Sequence, residues 1–191
     1  MGCMSEQAGR YQRSFSGLVG AMVVLVLGIG AFVVLRDLNR VDPADPVRPV
    51  DYATPARFAQ RAARFELLTP PALPAGWIAT SVRFEDDPDE QSWHLGLLTD
   101  AQRYIGIEQA ERPVAAMVDD FVDEDAEQAG EVDVDGVAWT RYVEPGRDPG
   151  ADSSEPADGD MALVRETDGA TTLVVGTVPQ DQLTAVVGSL R

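Results

Sequence analysis

The 191-residue chain has no lysine, one cysteine and one histidine, and each scarcity closes off chemistry. A phosphate loop of the Gly-x-x-x-x-Gly-Lys type is impossible without lysine, and no Gly-x-Gly-x-x-Gly run takes its place. Cys3 lies close to the amino end, so the region beyond residue 35 has no disulfide and no thiol chemistry. One histidine and no cysteine in that region exclude the usual structural zinc sets. Ser-His-Asp catalysis would have to use His94, yet the chain has no Gly-x-Ser-x-Gly elbow. His94 sits between Trp93 and Leu95 and points away from their face, as an ordinary strand surface residue does. No residue stands out as catalytic, cofactor-binding or metal-ligating, and no cofactor is implied.

Charge is also missing over the 21 residues from Phe15 to Leu35 (FSGLVGAMVVLVLGIGAFVVL). At about 1.5 Å per helical residue this run matches a bilayer core of about 30 Å, which predicts a transmembrane helix at 15–35 in contact with lipid. It is longer than a signal peptide's apolar region, and Arg36-Asp37-Leu38-Asn39-Arg40 follows it in place of a small-x-small cleavage site. Lipidation does not fit either, since Cys3 precedes the run and position 6 is Glu6. Arg10 and Arg13 on one side balance Arg36 and Arg40 on the other. The amino terminus tips that balance toward a short cytoplasmic tail at 1–14 and a cell-membrane protein whose domain lies outside. The span has no ionisable residue to mark a pathway, so it tethers and does not transport.

Beyond residue 35 stand 13 arginines and 31 acids, a formal charge of −18. Such a surface repels nucleic acid. Arginine-only basic usage beside abundant Ala, Val, Gly and Asp resembles the codon bias of a high-GC bacterium. Residues 36–53, with three prolines between Asp37 and Ala53, read as an extended spacer. The remaining 54–191 suffice for one packed domain.

Thr54-Pro55 offers a cap and a first-turn proline for a helix to about Leu68, with Arg57, Arg61 and Arg64 as a basic stripe. That stripe either meets anionic headgroups or pairs with the domain's own acids. After Leu73-Pro74-Ala75-Gly76-Trp77 the apolar period becomes two. Ile78, Val82 and Phe84 mark one strand, Trp93, Leu95 and Leu97 a second, and Ile105 and Ile107 a third, with Thr99 to Gln102 turning between the last two. Val114, Met117, Val118, Phe121 and Val122 return to helical spacing, and acids from Asp119 to Glu127 crowd that helix's end against its dipole. Two hairpins follow, 131–134 with 137–143 about Asp135-Gly136, and 161–167 with 171–176 about Asp168-Gly169. Glu144 to Asp160 is a loop rich in Pro, Gly, Asp and Ser. Pro179 opens a last helix with Leu183, Val186, Val187 and Leu190 on one face. The fold class is therefore α+β: a transmembrane helix, then an antiparallel sheet of about seven strands with helices packed on it.

Two acidic stretches invite a metal reading. Glu131-Val132-Asp133-Val134-Asp135-Gly136 resembles the first half of a calcium loop, but the twelfth position is Tyr142 in place of glutamate, and the alternating valines demand a strand. The Glu85 to Glu90 run reads as solvated surface. Trp77 and Trp139 read as core aromatics.

The Leu73-Pro74-x-Gly76-Trp77 lead-in, the Val134-Asp135-Gly136 hairpin, and the ending Asp168-Gly169, Leu173-Val174-Val175 and helix to Ser189-Leu190 resemble a family of actinobacterial single-pass membrane proteins of unknown function. More distantly the chain is similar to PsbP-like α/β/α sandwich domains and to extracytoplasmic domains of some anti-sigma factors. The distant resemblance implies a protein or small-molecule partner. The expectation is a membrane-anchored extracytoplasmic binding or protein-interaction module. The alternative is a cell-envelope enzyme with paired carboxylates, such as two members of the Glu85 to Glu90 run.

Overall fold

The computed structural model describes residues 22–23, 25–29, 48–146, 160–167 and 169–191. Residues Met1–Pro46 and Val47–Arg191 are separate compact units. In the first, the described residues Met22, Val23 and Leu25 to Ile29 are helical and exposed. The expected transmembrane helix at 15–35 is not found: among the described residues, no helix is long and apolar enough to cross a membrane. The rest of that run, the tail at 1–14 and most of the spacer lie outside the described residues.

The second unit is built on seven strands. These are β1 (Ile78–Asp86), β2 (Gln91–Leu98), β3 (Tyr104–Ala110), β4 (Glu127–Val134), β5 (Val137–Val143), β6 (Met161–Thr167) and β7 (Ala170–Gly176). They form one antiparallel sheet in the order β1-β2-β3-β7-β6-β5-β4. Two meanders, β1 to β3 and β4 to β7, thus meet at a seam where Ile107 faces Val174. Short turns join β1 to β2, β2 to β3, β4 to β5 and β6 to β7. Asp135 and Gly136 both have positive φ, 54° and 82°, as a type I′ turn requires, so the Asp-Gly signal was sound.

Helices α1 (Ala53–Ala62) and α3 (Gln180–Ser189) cover one face, where Trp93, Leu95, Leu97, Ile105, Ile107 and Leu163 are almost fully buried. Each such side chain stabilises the fold by about 1.5–3 kcal/mol of transfer energy. Helix α2 (Val114–Phe121) sets Met117 and Val118 against Ala162, Val164, Leu173 and Val175 on the opposite face. Its acids have one partial answer in Arg112, which pairs with Asp120 at 2.7 Å.

Two sequence expectations shift. Helix α1 stops at Ala62, six residues before Leu68, because two buried glutamines capture the chain. Gln91 Nε2 donates to the Ala62 carbonyl and its Oε1 accepts from the Arg64 N–H, while Gln109 bonds the Glu66 carbonyl and the Leu68 N–H in the same manner. Phe65 and Leu67 can then enter the core. The arginine stripe is broken as a result. Arg64 clamps Glu111, Arg61 lies over the Phe58 ring at 5.5 Å, and Arg57 reaches Thr54. In β1 an irregularity between Ala79 and Ser81 shifts the register, so Ala79, not Ile78, joins Val82 and Phe84 in facing the β2 core residues.

Candidate functional site

Leu73-Pro74-x-Gly76-Trp77 forms one wall of a cleft, and helix α3 the other. The cleft has a volume of about 370 Å³ and is lined mainly by Pro70, Leu73, Pro74, Trp77, Leu97, Ala185 and Val186, with Gln182 and Ser189 as its polar groups. Gly76 makes the lead-in fit: its φ of 83° suits glycine, and a Cβ there would stand 3.0 Å from Asp100 Cβ. Trp77 is therefore only partly a core residue. It packs on the core and exposes its remaining surface to the cleft, whereas Trp139 is buried, with Arg165 over its ring at 5.5 Å. Ser189 Oγ already donates to the Val186 carbonyl. Among the described residues no partner bonds the Gln182 side-chain amide, whose donor and acceptor face the cleft.

The second constellation lies on the opposite face, along β1 to β3. Pairing puts Arg83, His94, Glu108 and Leu173 in one row across the sheet and Ser81, Gly96, Gly106 and Val175 in the next. Ser81 and His94 are diagonal neighbours, which a long side chain can bridge. Their contact is open because position 96 is glycine: a Cβ there would lie closer than 3.0 Å to Ser81 Oγ and 3.2 Å from Tyr104 Cε2. Gly106 makes a matching notch beneath the Tyr104 hydroxyl and Glu108 Oε1, each 3.1 Å from where its Cβ would stand.

His94 is bonded at both ring nitrogens, Nδ1 to Glu108 Oε1 at 2.6 Å and Nε2 to Ser81 Oγ at 2.7 Å. It does point away from the Trp93 and Leu95 face, but it is no ordinary surface residue, since its side chain is only 18% exposed and that of Glu108 only 6%. Burial pushes the Glu108 carboxyl above its usual value, with the His94 hydrogen bond and charge opposing. The Tyr104 hydroxyl is pushed up to about 12, by burial first and then by the charges of Glu108 and Asp160. With Glu108 ionised, and so only an acceptor, His94 Nδ1 donates to it; in the tautomer whose one proton sits there, Nε2 accepts and Ser81 donates.

Neither Ser81 nor Glu108 was singled out in the sequence. A turn at Thr99 to Gln102 would pair His94 with Ile107; the loop runs one residue further, Leu98 pairs with Tyr104, and Glu108 comes to face His94, while the β1 irregularity hid Ser81.

The acidic stretches separate from both places. Glu85 and Asp86 end β1 and Asp87 to Glu90 turn into β2, all exposed, with Asp87 accepting from the Asp89 N–H at 2.9 Å. Glu131 and Asp133 lie on β4 and Asp135 in its turn, where Asp133 accepts from the Gly136 N–H at 3.0 Å. Among the described residues no three His, Cys, Asp or Glu side chains gather as a metal site.

No curated protein matches the sequence. A crystal structure of MucB in complex with MucA(peri) resembles the chain at 17% identity and a TM-score of 0.33, covering 66% of this chain and 36% of that one. A family model described as "Protein of unknown function (DUF4245)" matches residues 10–190, and the chain belongs to that family.

Proposed function

We propose that the unit from Val47 to Arg191 is a binding module that holds an apolar segment of a protein partner in the cleft between Leu73 to Trp77 and α3. The observation that carries this reading is the cleft itself: apolar walls, about 370 Å³, and the unpartnered Gln182 amide at its rim. That volume falls in the range of small-ligand pockets, room for one or two large side chains. The net charge of −18 beyond residue 35 favours a partner that is neutral or basic around that segment. We place the module on the extracytoplasmic face of the cell membrane, on the strength of the uncharged run from Phe15 to Leu35 and the arginines that flank it. The arginine-only basic usage favours an actinobacterial origin.

The test is site-specific photocrosslinking of the full chain in its native membrane fraction. A photoreactive residue at exposed Ala185 is expected to capture one reproducible partner, while the same residue at exposed Glu131 captures none. Trp77→Ala in the Ala185 background should remove the adduct. Equal capture at both positions, or an adduct indifferent to Trp77, overturns the reading. A chain recovered wholly in the soluble fraction overturns the location alone.

A further inference from the structure

We infer that Ser81, His94 and Glu108 form an acyl-transfer site, in which Ser81 is the nucleophile toward small esters, His94 the general base, and Glu108 the residue that positions His94. The three contacts of such a device are present together. Ser81 Oγ stands 2.7 Å from Nε2, within reach for proton transfer, and Nδ1 stands 2.6 Å from Glu108 Oε1. Glu108 is 5% exposed, buried enough for its charge to act at close quarters on the imidazolium that forms. Ser81 and His94 retain partial exposure, so a reagent can reach the hydroxyl. Two registered glycines, Gly96 and Gly106, let Ser81 Oγ, the Tyr104 ring and Glu108 Oε1 settle directly over the sheet backbone, each within 3.2 Å of where a Cβ would stand. The close approach of the polar groups therefore depends on the two missing side chains.

The chemistry balances without any cofactor. Ser81 Oγ attacks the ester carbonyl carbon as its proton passes to His94 Nε2. The bond from that carbon to the leaving oxygen then breaks, and the departing alkoxide takes the proton from Nε2. Water attacks the acyl-serine, giving its proton to Nε2, and collapse releases the carboxylic acid and restores Ser81 with its proton. The donors on the same face for negative charge on the carbonyl oxygen would be the Tyr104 hydroxyl and Arg83, which is registered opposite His94 and pairs with Glu85 at 3.3 Å. The site lies on strands, without a strand-to-helix elbow or a deep pocket, so the substrate class is a short acyl ester presented at a surface.

The experiment treats the full chain with a fluorophosphonate probe and maps the adduct by peptide mass spectrometry. The expected result is one adduct, on Ser81, with neighbouring Thr80 and Ser92 unmodified. His94→Asn should slow labelling by about 10²–10⁴-fold, the usual worth of a general base. For Glu108→Gln, hydrolysis of 4-nitrophenyl acetate should show a lower kcat with KM unchanged, a split that loosened packing would not give. Native protein that leaves Ser81 unmodified overturns the inference, as does an adduct shared evenly among serines. So does a His94→Asn protein of unchanged melting temperature that reacts at the original rate. Since exclusive modification of Ser81 is read on the unaltered protein, a variant that fails to fold does not rescue the idea.

Discussion

Gly96→Ala asks whether the glycine is there to let Ser81 reach His94. An added Cβ would meet Ser81 Oγ closer than 3.0 Å, where ordinary van der Waals contact begins near 3.4 Å, with Thr80 Oγ1 at 3.1 Å and Tyr104 Cε2 at 3.2 Å. Gly96 is itself buried and paired on both sides, to Ser81 and to Gly106, so the backbone has little freedom to retreat. Overpacking of this kind costs about 1–3 kcal/mol. If Ser81 swings aside instead, the bond to His94 is lost, at about 0.5–1.5 kcal/mol. The single variant is therefore expected to lose about 1–3 kcal/mol in urea unfolding, or about 2–4 °C in Tm for each kcal/mol. In the Ser81→Ala background the closest clash disappears and only the two contacts above 3.0 Å remain. There the same substitution should cost at least about 1 kcal/mol less, a coupling large enough to measure in a double-mutant cycle. An equal cost in both backgrounds, or less than about 0.5 kcal/mol in the native one, refutes the steric argument.

Two further perturbations probe the supports of the fold and of the polar row. Gln91→Leu removes two part-buried hydrogen bonds, to the Ala62 carbonyl and the Arg64 N–H, and should destabilise by about 1–3 kcal/mol, whereas Arg57→Ala on the exposed side of α1 should stay within about 0.5 kcal/mol; comparable losses for the two would remove Gln91 from its role. Glu108→Gln keeps an acceptor for His94 Nδ1 and removes a titration. Because burial raises the folded carboxyl above its ordinary value of 4.5, the stability it contributes is complete below the unfolded value and is lost as pH climbs through the folded one. The native protein should thus fall behind the glutamine variant as pH rises above the ordinary carboxyl value of 4.5, and a difference that stays flat or narrows contradicts the sign.

What was legible in the sequence was local. Alternation gave β2 and β3 because Trp93, Leu95, Leu97, Ile105 and Ile107 really do face one core, and the 3.6-residue spacing gave α2 and α3 because each buries one stripe. Asp135-Gly136 gave its turn because few other pairs tolerate positive φ twice. Long-range polar capture was not legible. Helix α1 ends where Gln91 and Gln109, 27 and 41 residues from the backbone they hold, compete for it. The polar row was hidden for a related reason: Ser81 and Glu108 lie 13 and 14 residues to either side of His94, and only pairing through an irregular β1 brings all three together. The expected span at 15–35 is a different case: among the described residues no helix is long and apolar enough to cross a membrane, and absence of charge by itself measures only how well a run would tolerate lipid.

The cleft and the polar row lie back to back on β2. Leu97 looks into the cleft while its neighbour Gly96 floors the polar row, because successive side chains leave a strand on opposite faces. The two are thus separated by the sheet and share no side chain. Substitutions that are distant and share no partners act additively, within about 0.3–0.5 kcal/mol. Ala185→Trp, which fills the cleft from α3, should therefore leave fluorophosphonate labelling of Ser81 at the native rate, and His94→Asn should leave partner capture through the cleft intact. If filling the cleft slows labelling tenfold, about 1.4 kcal/mol, the two faces are one device and β2 couples them. A β2 that merely separates two sites has no means of transmitting that change.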